Sequence, residues 1–235
     1  MAKNTTNTPK DDRYSLKGSS LWGILIFAVL LIVDLVTKLW ADAYFNAEGA
    51  PSKIDIIPGW IWLCIEYNPG ISYGIGANAP EGVKILVVVI TALIMLALGI
   101  AYFKMDKRRT LLRLAFVFIV AGGVGNLIDR VYYRVWELDA YATEGVRDMV
   151  NLDRFGFAVC NFADFFITGG AVMMVLAMIF FDRDAVYPTG EKYRALAKEY
   201  EAEQEEKKQR KAMQQKAEIA EEAQSFTAEN EQNNG

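Results

Sequence analysis

Residues 111–131 read LLRLAFVFIVAGGVGNLIDRV, an apolar run that closes on the block Gly122-Gly123-Val124-Gly125-Asn126-Leu127-Ile128-Asp129-Arg130. Its length decides its setting, because a helix needs about 20 apolar residues to cross the hydrocarbon core of a bilayer. Working outward, three further stretches, about 21–40, 83–103 and 157–181, are equally long and apolar. The chain therefore reads as an all-α membrane protein with four transmembrane helices, not as a soluble domain with a large core.

The composition hides a division. The 235 residues are 53% hydrophobic with a net charge of −4, but the apolar residues lie before about 185 and the last fifty or so positions are polar and charged. That charge says little about partners, since it averages a membrane body with a tail, and no nucleic-acid partner is read from it. Residues 1–18 read as a flexible lead, 19–184 as the four-span domain and 185–235 as a charged tail. In the tail, 191–222 is dense in Glu, Lys, Gln and Ala with opposite charges three or four apart, which predicts an exposed helix. The stretch 225–235 predicts disorder.

Basic residues set the orientation. Lys3, Lys10, Arg13 and Lys17 precede the first span, and Lys104, Lys107, Arg108 and Arg109 join the second to the third. The positive-inside rule puts both termini and that short loop in the cytoplasm and the two longer loops outside. Ala41-Asp42-Ala43 resembles a signal-peptide cleavage site. Asp34 and Lys38 inside the preceding run argue for a retained span instead.

Between the first two spans, residues 60–67 are rich in aromatic and β-branched side chains and follow Pro58-Gly59. This predicts a strand paired across that turn with 53–57, a small hairpin on the outer face with its tryptophans at headgroup level. The chain has no histidine, which excludes Ser-His and Cys-His catalysis and His-ligated zinc. Cys64 and Cys160 form no C-x-x-C pair, so no thiolate metal site is expected. They read as two buried free thiols, with a disulfide on the outer side as the alternative.

Two aspartates carry the chemistry. Asp129 follows Asn126 by three, and Asp164 follows Asn161 by three, each within an apolar segment. Ionisable groups at membrane depth are costly and mark function. The third and fourth spans run in opposite directions, so the two carboxyl groups reach similar depth on the outer side. Close carboxylates share one proton. Such a pair suits hydrolysis, the ionised member taking a proton from water and the protonated one polarising a carbonyl. A structural polar network between helices, or a small proton- or ion-coupled transporter, would use the same groups.

Around this pair, Gly122, Gly123 and Gly125 allow close backbone approach. Asn126 and Asn161 can hydrogen-bond the carboxylates or a substrate backbone. Asp34 and Lys38, four apart, form a self-neutralising pair that supports the site. Arg130 can contact phosphate, pair with a carboxylate or reach the interface. Asn68 and Gly70 open a turn near the same level.

Together these motifs resemble lipoprotein signal peptidase, bacterial signal peptidase II. Four blocks carry the resemblance in order: Asp34-Leu35-Val36-Thr37-Lys38, Asn68-Pro69-Gly70-Ile71-Ser72-Tyr73, Gly125-Asn126-Leu127-Ile128-Asp129-Arg130 and Asn161-Phe162-Ala163-Asp164. The resemblance implies an aspartic endopeptidase of the bacterial inner membrane. It would cut the signal peptide from a diacylglyceryl-modified prolipoprotein just before the lipidated cysteine. It implies Asp129 and Asp164 as catalytic residues, Asn68, Gly70, Asn126, Arg130 and Asn161 as substrate-binding residues, and Asp34 and Lys38 as supports. No metal or organic cofactor is implied; the partners are the precursor and membrane lipid, and a monomer is expected although the sequence does not fix the oligomeric state. Several features depart from the family pattern: Ser72-Tyr73 after the asparagine-glycine block, Cys160 before Asn161, and a longer loop at 132–156 that could act as a lid. Within that loop, Val146-Arg147-Asp148-Met149-Val150 stands where the family has a shorter V-D-F-like stretch.

Overall fold

The computed structural model describes residues 16–70, 77–107, 109–139, 142–182 and 184–233. The expectations for residues 1–15, Ser72, Tyr73 and Arg108 lie outside them. Two units make up the chain, Met1–Val175 and Leu176–Gly235.

The first unit runs α1 (Leu16–Phe45), β1 (Ile54–Ile57), β2 (Ile61–Asn68), α2 (Glu81–Lys104), α3 (Thr110–Tyr132), β3 (Val146–Asn151) and α4 (Phe162–Leu176). Four helical segments are long and apolar enough to cross a membrane: Leu21–Phe45, Glu81–Lys104, Thr110–Tyr132 and Phe162–Phe181. The chain is a multi-pass membrane protein. The central helix is α3: half of its apolar window is buried, against 17%, 6% and 11% in the other three.

The glycines of α3 explain that position. A Cβ at Gly122 would collide with the Ala163 carbonyl and Ile167 of α4, at Gly123 with Met95 of α2, and at Gly125 with the Asp34 carboxylate of α1. Each glycine admits a different neighbour. From α4, Gly170 does the same against the Ala115 carbonyl and Ile119. Without a hydrophobic drive between helices in lipid, such close packing supplies much of the association energy.

Two span boundaries differ from the sequence reading. The first helix continues to Phe45, because its last turns carry the sheet: Ala41 is fully buried with Met149 and Val150, and Phe45, Ile61 and Leu63 pack around them. The fourth begins at Phe162, not 157. Gly156 takes a φ of 77°, and Cys160 pairs with Val150 as a bridge, so the chain touches the sheet at Cys160 before the helix can start.

The expected hairpin is present. Pro58 and Gly59 turn the chain, Gly59 with φ 76°, and the Trp60 amide donates to the Ile57 carbonyl at 2.9 Å. A positive φ two places after the turn's start is the conformation that glycine supplies without strain. The strands pair antiparallel as Ile54↔Leu63 and Asp55↔Trp62. The sequence reading did not foresee β3, which extends the sheet in the order β1-β2-β3, with Trp62↔Asn151, Leu63↔Val150, Glu66↔Asp148 and Tyr67↔Arg147. Every residue of β3 is buried, so this part of the 132–156 loop is packed into the first unit.

In the second unit the helix end at Ala177–Phe181 widens by one residue per turn. The carbonyls this leaves at Met178, Ile179 and Phe180 accept from the amides of Val186, Tyr187 and Thr189 at 3.2, 2.8 and 3.1 Å. The tail is one helix, α5 (Glu191–Asn233), which continues past 225 where composition predicted disorder.

Candidate active site

The site is built where the ends of α1, α3 and α4 meet β2 and β3. A cavity of about 580 Å³ opens there, with Asn68, Asn126, Arg130, Asp148, Asn161 and Asp164 as its polar wall. Along α3 the cavity is lined by Ile119, Gly123, Asn126 and Arg130. These recur every three or four residues on one face and span about 16 Å at 1.5 Å per residue. The cavity is thus polar at the sheet end and apolar deeper down.

Asp164 is held by the start of its own helix. Its amide donates to Asn161 Oδ1 at 3.2 Å, while its Oδ2 accepts from the Asn161 amide at 3.1 Å. This reciprocal pair is a capping box, and the N-x-x-D spacing at 161–164 is its sequence form. The adjacent Ala163 amide donates to Asp34 Oδ1 of α1 at 2.9 Å. Three amides that a helix start leaves without partners are thereby satisfied.

Asn161 also joins two carboxylates. Its backbone amide bonds Asp164, and its side-chain Nδ2 donates to Asp148 Oδ1 at 2.6 Å and to Asn126 Oδ1 at 3.0 Å. Asn68 Nδ2 donates to Asp148 Oδ2 at 3.3 Å, and Asn68 Oδ1 accepts from the Gly70 amide at 2.9 Å. Burial raises the Asp148 pKa to about 7, helped by the nearby Asp164 and opposed by Asn161, Asn68 and Lys38. Close to neutrality, Asp148 therefore holds a proton that an ordinary aspartate has lost.

Asn126 is oriented from the far side. Its Oδ1 accepts from Lys38 Nζ at 2.9 Å, so its Nδ2 turns to Asp164 Oδ1 at 2.8 Å. Lys38 in turn pairs with Asp34 at 2.9 Å and Asp129 at 3.4 Å, all three fully buried. Arg130 reaches the Asn126 carbonyl from Nη1 at 3.2 Å and faces the cavity.

Asp129 has a different setting from the one expected of it. It is fully buried and does not line the cavity. Its oxygens are taken by Lys38, by Arg147 Nη2 at 2.5 Å and by the Arg147 amide at 3.2 Å. The geometry groups Asp148, not Asp129, with Asp164. The two N-x-x-D blocks look alike in sequence and differ in the folded chain: one is a helix cap, the other lies inside a helix with its Asn and Asp serving different neighbours. The signal for Asp148 was the short alternation Val146, Asp148, Val150, which gives one strand face.

The two thiols are free and half-buried. Burial raises Cys64 to about 11 and Cys160 to about 12, with neighbouring carboxylates adding to the effect.

Residues 26–180 match the family model described as Signal peptidase (SPase) II. A lipoprotein signal peptidase of Chlorobaculum tepidum is 37% identical over 163 residues, covering 67% of this chain and 93% of that protein. One from Bifidobacterium longum subsp. infantis is 34% identical over 154 residues, covering 66% and 76%. A bacterial membrane enzyme solved by the in meso method at 1.9 Å aligns with a TM-score of 0.54 at 25% identity, over 67% of this chain and 92% of that one. With the match spanning four helices, the sheet and the cavity residues alike, the chain belongs to the signal peptidase II family.

Proposed function

We propose that this protein is an aspartic endopeptidase that removes the signal peptide from diacylglyceryl-modified prolipoproteins, cutting just before the lipidated cysteine, with Asp148 and Asp164 as its catalytic pair. The observation that carries this reading is Asn161, which hydrogen-bonds both carboxylates on the wall of one cavity. This replaces the pairing of Asp129 with Asp164. An aspartate already paired with Lys38 and Arg147 and shut off from the cavity is not placed to meet water or substrate there.

The two carboxyl groups divide the work. Asp148, with its raised pKa, is the protonated member. Asp164, receiving N–H donors from Asn126 and Asn161, is the acceptor. Asp164 takes a proton from water as the water oxygen attacks the scissile carbonyl carbon. Asp148 gives its proton to the carbonyl oxygen as that carbon becomes tetrahedral. Collapse returns that proton to Asp148 and breaks the C–N bond, and Asp164 hands its proton to the leaving amine, which restores both groups. Asn68 and Arg130 line the cavity beside the pair and serve to hold the substrate backbone, with Gly70 shaping the Asn68 turn. Lys38 and Asp34 position Asn126 and the start of α4.

The apolar depth of the cavity suits a substrate that stays in lipid while its scissile bond reaches the polar end. Anchoring of that kind turns part of the encounter into positioning. The positive-inside rule supports an inner-membrane enzyme with cytoplasmic termini and its sheet on the outer side.

The test is cleavage by purified protein in detergent or lipid of a diacylglyceryl-modified precursor and of an unmodified control. Only the modified precursor should be cut. Equal cutting of both, or full turnover in Asp148→Asn or Asp164→Asn, would overturn the reading.

A further inference from the structure

The catalytic reading gives no role to the buried cation beside Asp148. Arg147 is only 6% exposed and sits on β3 directly before Asp148. Its Nη2 meets Asp129 Oδ1 at 2.5 Å, its amide meets Asp129 Oδ2 at 3.2 Å, and its guanidinium lies 5.5 Å from the centre of the Tyr133 ring. Asp129 and Tyr133 both belong to the end of α3. One side chain and one amide of β3 are therefore tied to the helix that carries Asn126 and Arg130.

The strand needs such a tie. Successive side chains of a strand point to opposite faces, so a slip of one residue would carry Asp148 out of the cavity and bring a neighbour in. The ladder alone is not continuous. Its pairing with β2 is interrupted by an irregularity between Leu63 and Glu66, just beside Asp148, and on its other side, among the described residues, β3 forms the single bridge Val150↔Cys160. A slip would also separate Arg147 from Asp129 and leave the Arg147 charge buried without that partner, which is strongly unfavourable.

We propose that Arg147 is a positioning residue: by pairing with Asp129 on one face of β3 it fixes the strand's register, and so presents Asp148 on the opposite face to Asp164. Asp129 is then the shared counter-ion of Lys38 and Arg147, linking α1, α3 and β3. This rests on the catalytic reading above only for its effect on turnover; the strand lock itself does not depend on it.

The experiment compares wild type, Arg147→Gln and Arg147→Lys as full-length protein in lipid. Turnover of the lipidated precursor is followed across pH, and hydrogen exchange is measured over β3. In Arg147→Gln, kcat falls about 10- to 100-fold with KM within about threefold, below the roughly 10²- to 10⁴-fold lost when an acid–base group is removed outright, because Asp148 is displaced and not deleted. The alkaline limb of the pH profile moves down, because an Asp148 that leaves its buried seat regains a more ordinary carboxyl pKa. Amides of 146–151 lose protection while those of α3 keep theirs. Arg147→Lys keeps the charge and recovers part of both effects. A wild type that does not cut removes the catalytic reading, and β3 exchange still tests the lock. Unchanged β3 protection in Arg147→Gln overturns the proposal. So does activity lost only in proportion to the folded fraction, with the pH limb in place.

Discussion

At the scale of single residues, the candidate site separates groups on the cavity wall from groups that hold them in place. Asp148 and Asp164 border the cavity, whereas Asp129 lies behind it between two cations. Asp148→Asn and Asp164→Asn should each lower kcat by about 10²- to 10⁴-fold, the usual reach of acid–base groups, with the thermal midpoint little changed. Asp129→Asn should instead lower stability, since removing one partner of a buried ion pair costs about 3–5 kcal/mol. Parallel melting and turnover measurements separate the two classes. An Asp129→Asn protein that melts like wild type and keeps the β3 amides protected, yet does not cut, would return Asp129 to the chemistry.

The pH dependence also belongs to Asp148. Its pKa in the folded chain, about 7, is above the ordinary aspartate value. A raised carboxyl pKa stabilises the fold fully below the ordinary value of about 4, and that contribution is lost as pH rises through the folded value. The same titration removes the proton that the mechanism gives to the carbonyl oxygen. Turnover should therefore decline on the alkaline side with an apparent midpoint near pH 7, read from kcat against pH, and Asn161→Ala should shift that limb upward by removing a donor that favours the ionised form. The midpoint is a property of the coupled pair.

At the scale of elements, close packing around α3 and the cap of α4 decide where these groups end up. Gly122→Ala and Gly125→Ala insert a methyl where the Ala163 carbonyl and the Asp34 carboxylate already stand. Overpacking of this kind costs about 1–3 kcal/mol. Gly99→Ala, where nothing lies within 4 Å, is the control and should be neutral in a thermal melt. Much of this scale was legible beforehand. Membrane-length apolar runs announced the four helices, and Pro58-Gly59 announced the hairpin, because both signals are local. The third strand was not legible, since Val146–Asn151 is short, carries Arg147 and Asp148 in its middle, and becomes a strand only by pairing with β2. The start of α4 was misjudged for a related reason: apolar residues 157–160 look like more helix until Cys160 is claimed by Val150.

At the scale of the whole molecule, the charged tail is expected to be dispensable for turnover. Helix α5 is polar on all sides, as expected of a helix exposed to solvent. Truncation after Gly190 should leave turnover within about twofold. Truncation after Asp184 should be worse, because the carbonyls of Met178, Ile179 and Phe180 then lose the amides of Val186, Tyr187 and Thr189, and unpaired groups near lipid cost several kcal/mol each. Turnover and melting of the two shortened proteins test this order.

The sequence by itself determined the membrane setting, the four spans, the hairpin and the residue types of the site, because span length, turn chemistry and the cost of intramembrane charge are properties of local sequence. Only the tertiary structure decided which aspartate stands beside Asp164. That choice depends on a strand pairing and on the buried charges of Lys38 and Arg147, which draw Asp129 away from the cavity and leave Asp148 facing it.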